Sequence, residues 1–102
     1  MKTYRIPGTD LTVSRLAYGC MKLGGGWGPE PTTPEQVKAG HRAVEAALAA
    51  GINFFDHADI YGAGAAHGCE TRFAEALRLT PSQRSEIVLQ TKAGIVKDGP
   101  YF

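Results

Sequence analysis

The spacing of apolar residues along this chain shifts repeatedly, and each shift predicts an element. Residues 3–13, TYRIPGTDLTV, alternate apolar and polar around a Pro-Gly-Thr-Asp turn. That pattern predicts a small N-terminal β-hairpin, shaped to act as a lid or plug. RLAYG, residues 15–19, is a short apolar run ending in Gly19 and predicts the first strand of a main sheet. MKLGGGWGPEPT then reads as a loop rich in glycine and proline, with Trp27 as its one large apolar side chain. Thr33-Pro34-Glu35-Gln36 predicts a helix start: threonine as N-cap, proline at the first helical position and glutamine as the capping-box partner. Val37, His41, Val44 and Leu48 supply the apolar side of that helix, and Gly51 stops it.

After Gly51, INFF is an unbroken apolar run of strand length, the pattern of a strand covered on both faces, with Asp56 at its C-terminal end. The loop HADIYGAGAAHG leads to a second helix predicted from about Glu70 to Leu79, with Phe73, Ala74 and Leu77 inward. Thr80-Pro81-Ser82-Gln83 repeats the capping signature and predicts a short extra turn. EIVLQTK, residues 86–92, predicts a third strand ending in Thr91 and Lys92. The order β-α-β-α-β with short connections requires parallel strands and right-handed crossovers, so the fold class is α/β. In such sheets function collects at the strands' C-terminal ends. Asp56 and Tyr61 after one strand therefore meet Lys92 after the next at one rim.

Composition narrows the partners. The chain has 102 residues, 43% hydrophobic and 21% charged, which is ordinary globular composition and excludes disorder. Eleven Lys and Arg against ten Asp and Glu give a net charge of +1, so no field for nucleic acid or anionic lipid is implied. The N-terminus MKTYRIPG lacks an apolar region behind its lysine, and no window reaches membrane-span length, which predicts a soluble cytoplasmic protein. Cys20 and Cys69 are then expected as reduced thiols rather than a disulfide.

Three residues carry candidate chemistry. A carbonyl accepting a hydride develops negative charge on oxygen and needs a proton donor. Tyrosine can donate, but its free pKa of about 10 makes it a weak acid at neutral pH. A neighbouring lysine ammonium favours the phenolate, and an aspartate keeps that ammonium charged and fixed. Asp56, Tyr61 and Lys92 fit these roles of anchor, acid and tuner. Each also has a plainer reading: Asp56 and Asp59 as turn or helix caps, Tyr61 as a packed rim aromatic, and Lys92 as a solvated strand end. His57, Asp59, His67, Cys69 and Glu70 cluster in sequence, but their spacing matches no metal signature, so no metal is expected. Gly62-Ala63-Gly64-Ala65-Ala66-His67 misses the dinucleotide fingerprint at its last place, and Gly24-Gly25-Gly26 opens no helix.

GINFFDHADIYG, ETRFAEAL and IVLQTKAGI together strongly resemble the aldo-keto reductases, and LTVSRLAYGCMKLGG resembles that family's N-terminal hairpin and first strand. The string DHADIYG resembles most a bacterial subgroup of predicted oxidoreductases. The resemblance implies a (β/α)8 TIM barrel, NADPH as cofactor, and Asp56, Tyr61 and Lys92 as three of four catalytic positions. It also implies that Gly19, Cys20 and Met21, with Asp56, lie near the nicotinamide, and that Trp27 and Tyr61 line the substrate pocket. The fourth catalytic residue, a histidine after strand four, and the phosphate-binding region near strands seven and eight have no counterpart here. A barrel of this kind needs about 250 residues. Residues 1–102 are therefore expected to be an N-terminal segment without a second domain, the hairpin plus the first three strands. The expected partners are a small carbonyl substrate and, through exposed strand edges, further copies of the chain. The expected function is NADPH-dependent reduction of an aldehyde or ketone in a complete protein, with the chain alone inactive. The alternative is a non-catalytic half-barrel that binds or assembles.

Overall fold

The computed structural model describes residues 1–23, 33–62 and 68–94. Strands β1 (Thr3–Arg5) and β2 (Thr12–Ser14) form the antiparallel hairpin, with Tyr4 opposite Val13. β3 (Tyr18–Gly19), β4 (Phe54–Asp56) and β5 (Val88–Gln90) form a separate parallel sheet in that order. Helix α1 (Pro34–Ala49) joins β3 to β4, while α2 (Gly68–Leu77) and the single turn α3 (Pro81–Arg84) join β4 to β5.

Both predicted capping boxes form. Gln36 N–H donates to Thr33 Oγ1 at 3.2 Å while Thr33 N–H donates to Gln36 Oε1 at 2.8 Å. Thr80 and Gln83 repeat the arrangement at 3.2 and 3.0 Å. Each box satisfies two donors that a helix start otherwise leaves without partners. Gly51 takes φ +90°, a conformation open to glycine, and ends α1 after its C-cap Ala50.

The core lies between the sheet and its helices. Phe55, fully buried, meets Phe73 of α2 at 4.9 Å and Tyr18 of β3 at 6.1 Å between ring centroids. Val44 and Ala47 of α1, Cys20, Leu23, Cys69 and Ile87 complete the cluster. Gly40 is buried because α1 runs close to the preceding loop, where a Cβ would stand 3.0 Å from the Leu23 carbonyl oxygen. Val37, His41 and Leu48 are half-buried beside the buried Val44, the side the apolar spacing assigned.

Several expectations needed correction. Ala74 is exposed rather than inward, because only the side of α2 carrying Cys69, Phe73 and Leu77 meets the sheet. α2 begins at Gly68, earlier than predicted, and ends at Leu77. The strands are shorter than their apolar runs, since pairing stops where neighbouring strands part: β4 starts at Phe54, β5 stops at Gln90, and Lys92 follows the strand. Phe54 is only half-buried, so β4 is fully covered on the helix side alone.

The hairpin sits at the strands' N-terminal end. Asn53, just before β4, accepts from Ser14 N–H at 2.6 Å through Oδ1 and donates to the Thr12 carbonyl at 3.1 Å. Its own N–H donates to Ser14 Oγ at 3.1 Å. The hairpin is thus a plug on the floor of the sheet, at the opposite end from Asp56.

Candidate active site

Parallel pairing aligns the strand ends. Gly19 pairs with Asp56 and Asp56 with Gln90, so three neighbouring strands deliver their last residues to one rim. Alternation along β4 buries Phe55 among the helices and turns Asp56 to the opposite face. Beyond the strands the ladder continues loosely: Cys20 N–H donates to Asp56 O at 2.9 Å, His57 N–H to Gln90 O at 2.7 Å and Asp59 N–H to Lys92 O at 2.9 Å. These bonds bring the loop after β4 alongside the segment after β5.

Asp56, Lys92 and Tyr61 converge there. Lys92 Nζ donates to Asp56 Oδ1 at 2.9 Å and to the His57 carbonyl at 2.7 Å. It also stands 5.1 Å from the centre of the Tyr61 ring. The hydrogen bond to Asp56 is the main reason the lysine holds its proton more tightly than usual; desolvation opposes this, and the Asp56 charge and Tyr61 add to it. Lys92 is 40% exposed, so the pair fixes geometry more than it adds stability.

The loop carrying Tyr61 is held by a close backbone approach. Gly62, at φ +130°, lies so near the start of α2 that a Cβ would come within 2.5 Å of the Gly68 Cα. This contact lets Cys69 N–H donate to Tyr61 O at 2.8 Å. On the other side, Gly94 N–H donates to Asp59 Oδ2 at 2.9 Å.

A profile of the Aldo/keto reductase family matches residues 15–101. The chain belongs to that family. It is 47% identical over 91 residues to the uncharacterized oxidoreductase YcsN of Bacillus subtilis, covering 89% of this chain and 27% of that protein. It is 37% identical over 96 residues to a 6-dehydroglucose reductase of Novosphingobium aromaticivorans, covering 91% of this chain and 29% of that one. Among solved structures, the glycerol dehydrogenase of Gluconobacter oxydans matches with a TM-score of 0.68 and 35% identity, over 96% of this chain and 28% of that one. The chain thus spans under a third of the length of these relatives. Its sheet and helices correspond to part of the aldo-keto reductase TIM barrel.

Within that family frame, the other expected residues fall as follows. Gly19 is exposed at the strand end, and a Cβ there would meet nothing within 4 Å, so the backbone is open to a flat ring beside Asp56. Met21 is exposed, whereas the Cys20 side chain is fully buried and only its backbone reaches the rim. Trp27 and His67 lie outside the described residues. Cys20 and Cys69 are free thiols, and burial, with Cys69 and Asp56 nearby, pushes Cys20 up to about 12. Among the described residues no group of three or more His, Cys, Asp or Glu is placed to hold a metal ion, and no helix is long and apolar enough to cross a membrane.

The sequence reading missed three contributors. Gln90 Nε2 donates to Asp56 Oδ1 at 2.7 Å, Thr91 Oγ1 donates to Glu70 Oε1 at 2.6 Å, and the His57 carbonyl holds Lys92. Gln90 had one signal available: it lies two residues before Lys92, on the same side of an extended strand. A cavity of about 420 Å³ lies between α2 and β5, lined on one side by Phe73, Leu77, Leu79 and Leu89 and on the other by His57, Glu70, Gln90 and Thr91. Asp56, Tyr61 and Lys92 do not line it, so the site is assigned from the convergence of polar groups.

Proposed function

We propose that this chain carries the proton-donating and nicotinamide-facing part of an NADPH-dependent reductase of aldehydes or ketones. The observation that carries the reading is the Lys92 ammonium held by Asp56 beneath the Tyr61 ring. When bound, NADPH supplies the hydride. Tyr61 Oη supplies the proton to the carbonyl oxygen as negative charge develops there, giving the alcohol and leaving a phenolate. Lys92 stabilises that phenolate by its positive charge, and Asp56 keeps the lysine charged. The His57 carbonyl takes a further lysine N–H, which restricts the ammonium to the direction of Tyr61. Gly19 and Met21 offer backbone to the nicotinamide, and the choice of NADPH follows the family resemblance.

A catalytic site must be fixed to within about half an ångström by its supporting shell. The 102-residue chain alone is accordingly expected to show no measurable turnover. The test is a completed barrel in which the chain replaces the matching segment of Bacillus subtilis YcsN, assayed by NADPH consumption with an activated aromatic aldehyde. Carbonyl-dependent oxidation of NADPH in preference to NADH is the expected result. A folded chimera that binds NADPH yet reduces no aldehyde or ketone would overturn the reading and favour a non-catalytic binding module.

A further inference from the structure

We infer that Gln90 is a positioning residue for this site: its side-chain amide pins the Asp56 carboxylate, which in turn aims the Lys92 ammonium at Tyr61. Asp56 and Gln90 are direct partners in the parallel register, which puts the two side chains side by side. Lys92, two residues further along an extended segment, reaches the same place. Both donors meet the same atom, Asp56 Oδ1, at 2.7 Å from Gln90 Nε2 and 2.9 Å from Lys92 Nζ.

Sharing one oxygen has a geometric consequence. A carboxylate's terminal torsion is broad and two-fold, so a lysine alone would bind either oxygen and let the pair drift. An amide donor rooted in the neighbouring strand makes the two oxygens inequivalent. Glutamine suits this task because it donates without charge: a second cation would draw Asp56 away from Lys92, and an acid would repel it. The remaining groups leave Gln90 this role undisturbed. Glu70 accepts from Thr91 at 2.6 Å and Asp59 accepts from Gly94 N–H at 2.9 Å, so neither carboxylate replaces Asp56 at the lysine. The His57 carbonyl fixes a second direction for the ammonium.

The catalytic meaning of this positioning rests on the reductase reading, but the positioning itself is measurable without turnover. In the full chain, labelled uniformly with carbon-13 and nitrogen-15 and held at a concentration where it sediments as a monomer, the Lys92 titration is followed by NMR. Gln90→Met keeps the side chain's length and removes the donor. The expected result is a Lys92 midpoint shifted down towards that of a free lysine and averaged side-chain couplings at Asp56, with β4–β5 amides still protected. An unchanged midpoint and unchanged couplings, with the strands still paired, would overturn the inference. In the completed barrel the same substitution should lower kcat about tenfold while leaving NADPH affinity intact, as expected for loss of one hydrogen bond to a charged group. Unchanged kcat there would equally overturn it. If the parent barrel were inactive, the reductase reading would fail while the titration still decided the role of Gln90.

Discussion

Asn53→Ala should detach the hairpin from the sheet while sparing the rim where Asp56 and Lys92 meet. The substitution deletes two side-chain hydrogen bonds, the 2.6 Å bond from Ser14 N–H and the 3.1 Å bond to the Thr12 carbonyl. Their costs differ. Ser14 is 2% exposed, so its amide is left without water or partner, a loss of about 1–3 kcal/mol. Thr12 is exposed, so its carbonyl is rehydrated and the loss is about 0.5–1 kcal/mol. The sum, about 1.5–4 kcal/mol, corresponds to roughly a 10- to 1,000-fold shift in the docking equilibrium. Hydrogen exchange read by mass spectrometry or NMR measures it directly: β1 and β2 amides should exchange faster by that factor, while β4 and β5 amides stay protected. Asn53→Asp keeps the Oδ1 acceptor and should fall between parent and alanine variant. Equal acceleration in hairpin and sheet would refute the separation of floor and rim, and unchanged hairpin protection would refute the role of Asn53.

Three further outcomes follow from burial and edges. His57 is 3% exposed, edge-on to Phe73 at 4.9 Å, with no hydrogen-bond partner for either ring nitrogen among the described residues, and burial lowers its pKa. The unfolded chain therefore binds the proton more readily, so stability should be full above the ordinary histidine value of about 6.5 and fall as pH drops below it. Thermal melts at pH 7.5 and 5 check this, and a His57→Phe variant that keeps the same pH slope would contradict it. Cys20 and Cys69, both fully buried, should resist an aromatic disulfide reagent at pH 8 until denaturant is added; rapid labelling of the native chain would contradict the core packing. β5 is the outer strand of the described sheet and Leu89 is 38% exposed beside the groove under α2, so the chain is expected to self-associate. Leu89→Lys should raise the monomer fraction in sedimentation velocity, and no change would place the contact elsewhere.

What the sequence disclosed divides by the range of the interactions involved. Thr33 and Thr80 announce their helices because a capping box is local: its members lie three residues apart and satisfy each other's donors. The parallel sheet is legible from element order, and the meeting of Asp56 with Lys92 follows because one ends its strand and the other lies just beyond the end of the next. Strand limits are less legible, since pairing depends on a partner distant in sequence. Ala74 misleads because alanine suits either side of a helix, and only packing of Phe73 and Leu77 sets the phase. Gln90 is silent for a similar reason: a glutamine carries no chemical signature, and its role arises from the register that sets it opposite Asp56.

The central claim, that Tyr61 is the proton donor beside the Lys92 ammonium, is tested most directly by Tyr61→Phe in the completed barrel. The substitution removes one hydroxyl and leaves the ring above the lysine, so NADPH affinity measured by fluorescence titration should stay within about twofold of the parent. The rate of carbonyl reduction should fall by about 10²–10⁴-fold, the usual worth of a positioned general acid. A variant that folds, binds NADPH and keeps near-parental kcat would contradict the account.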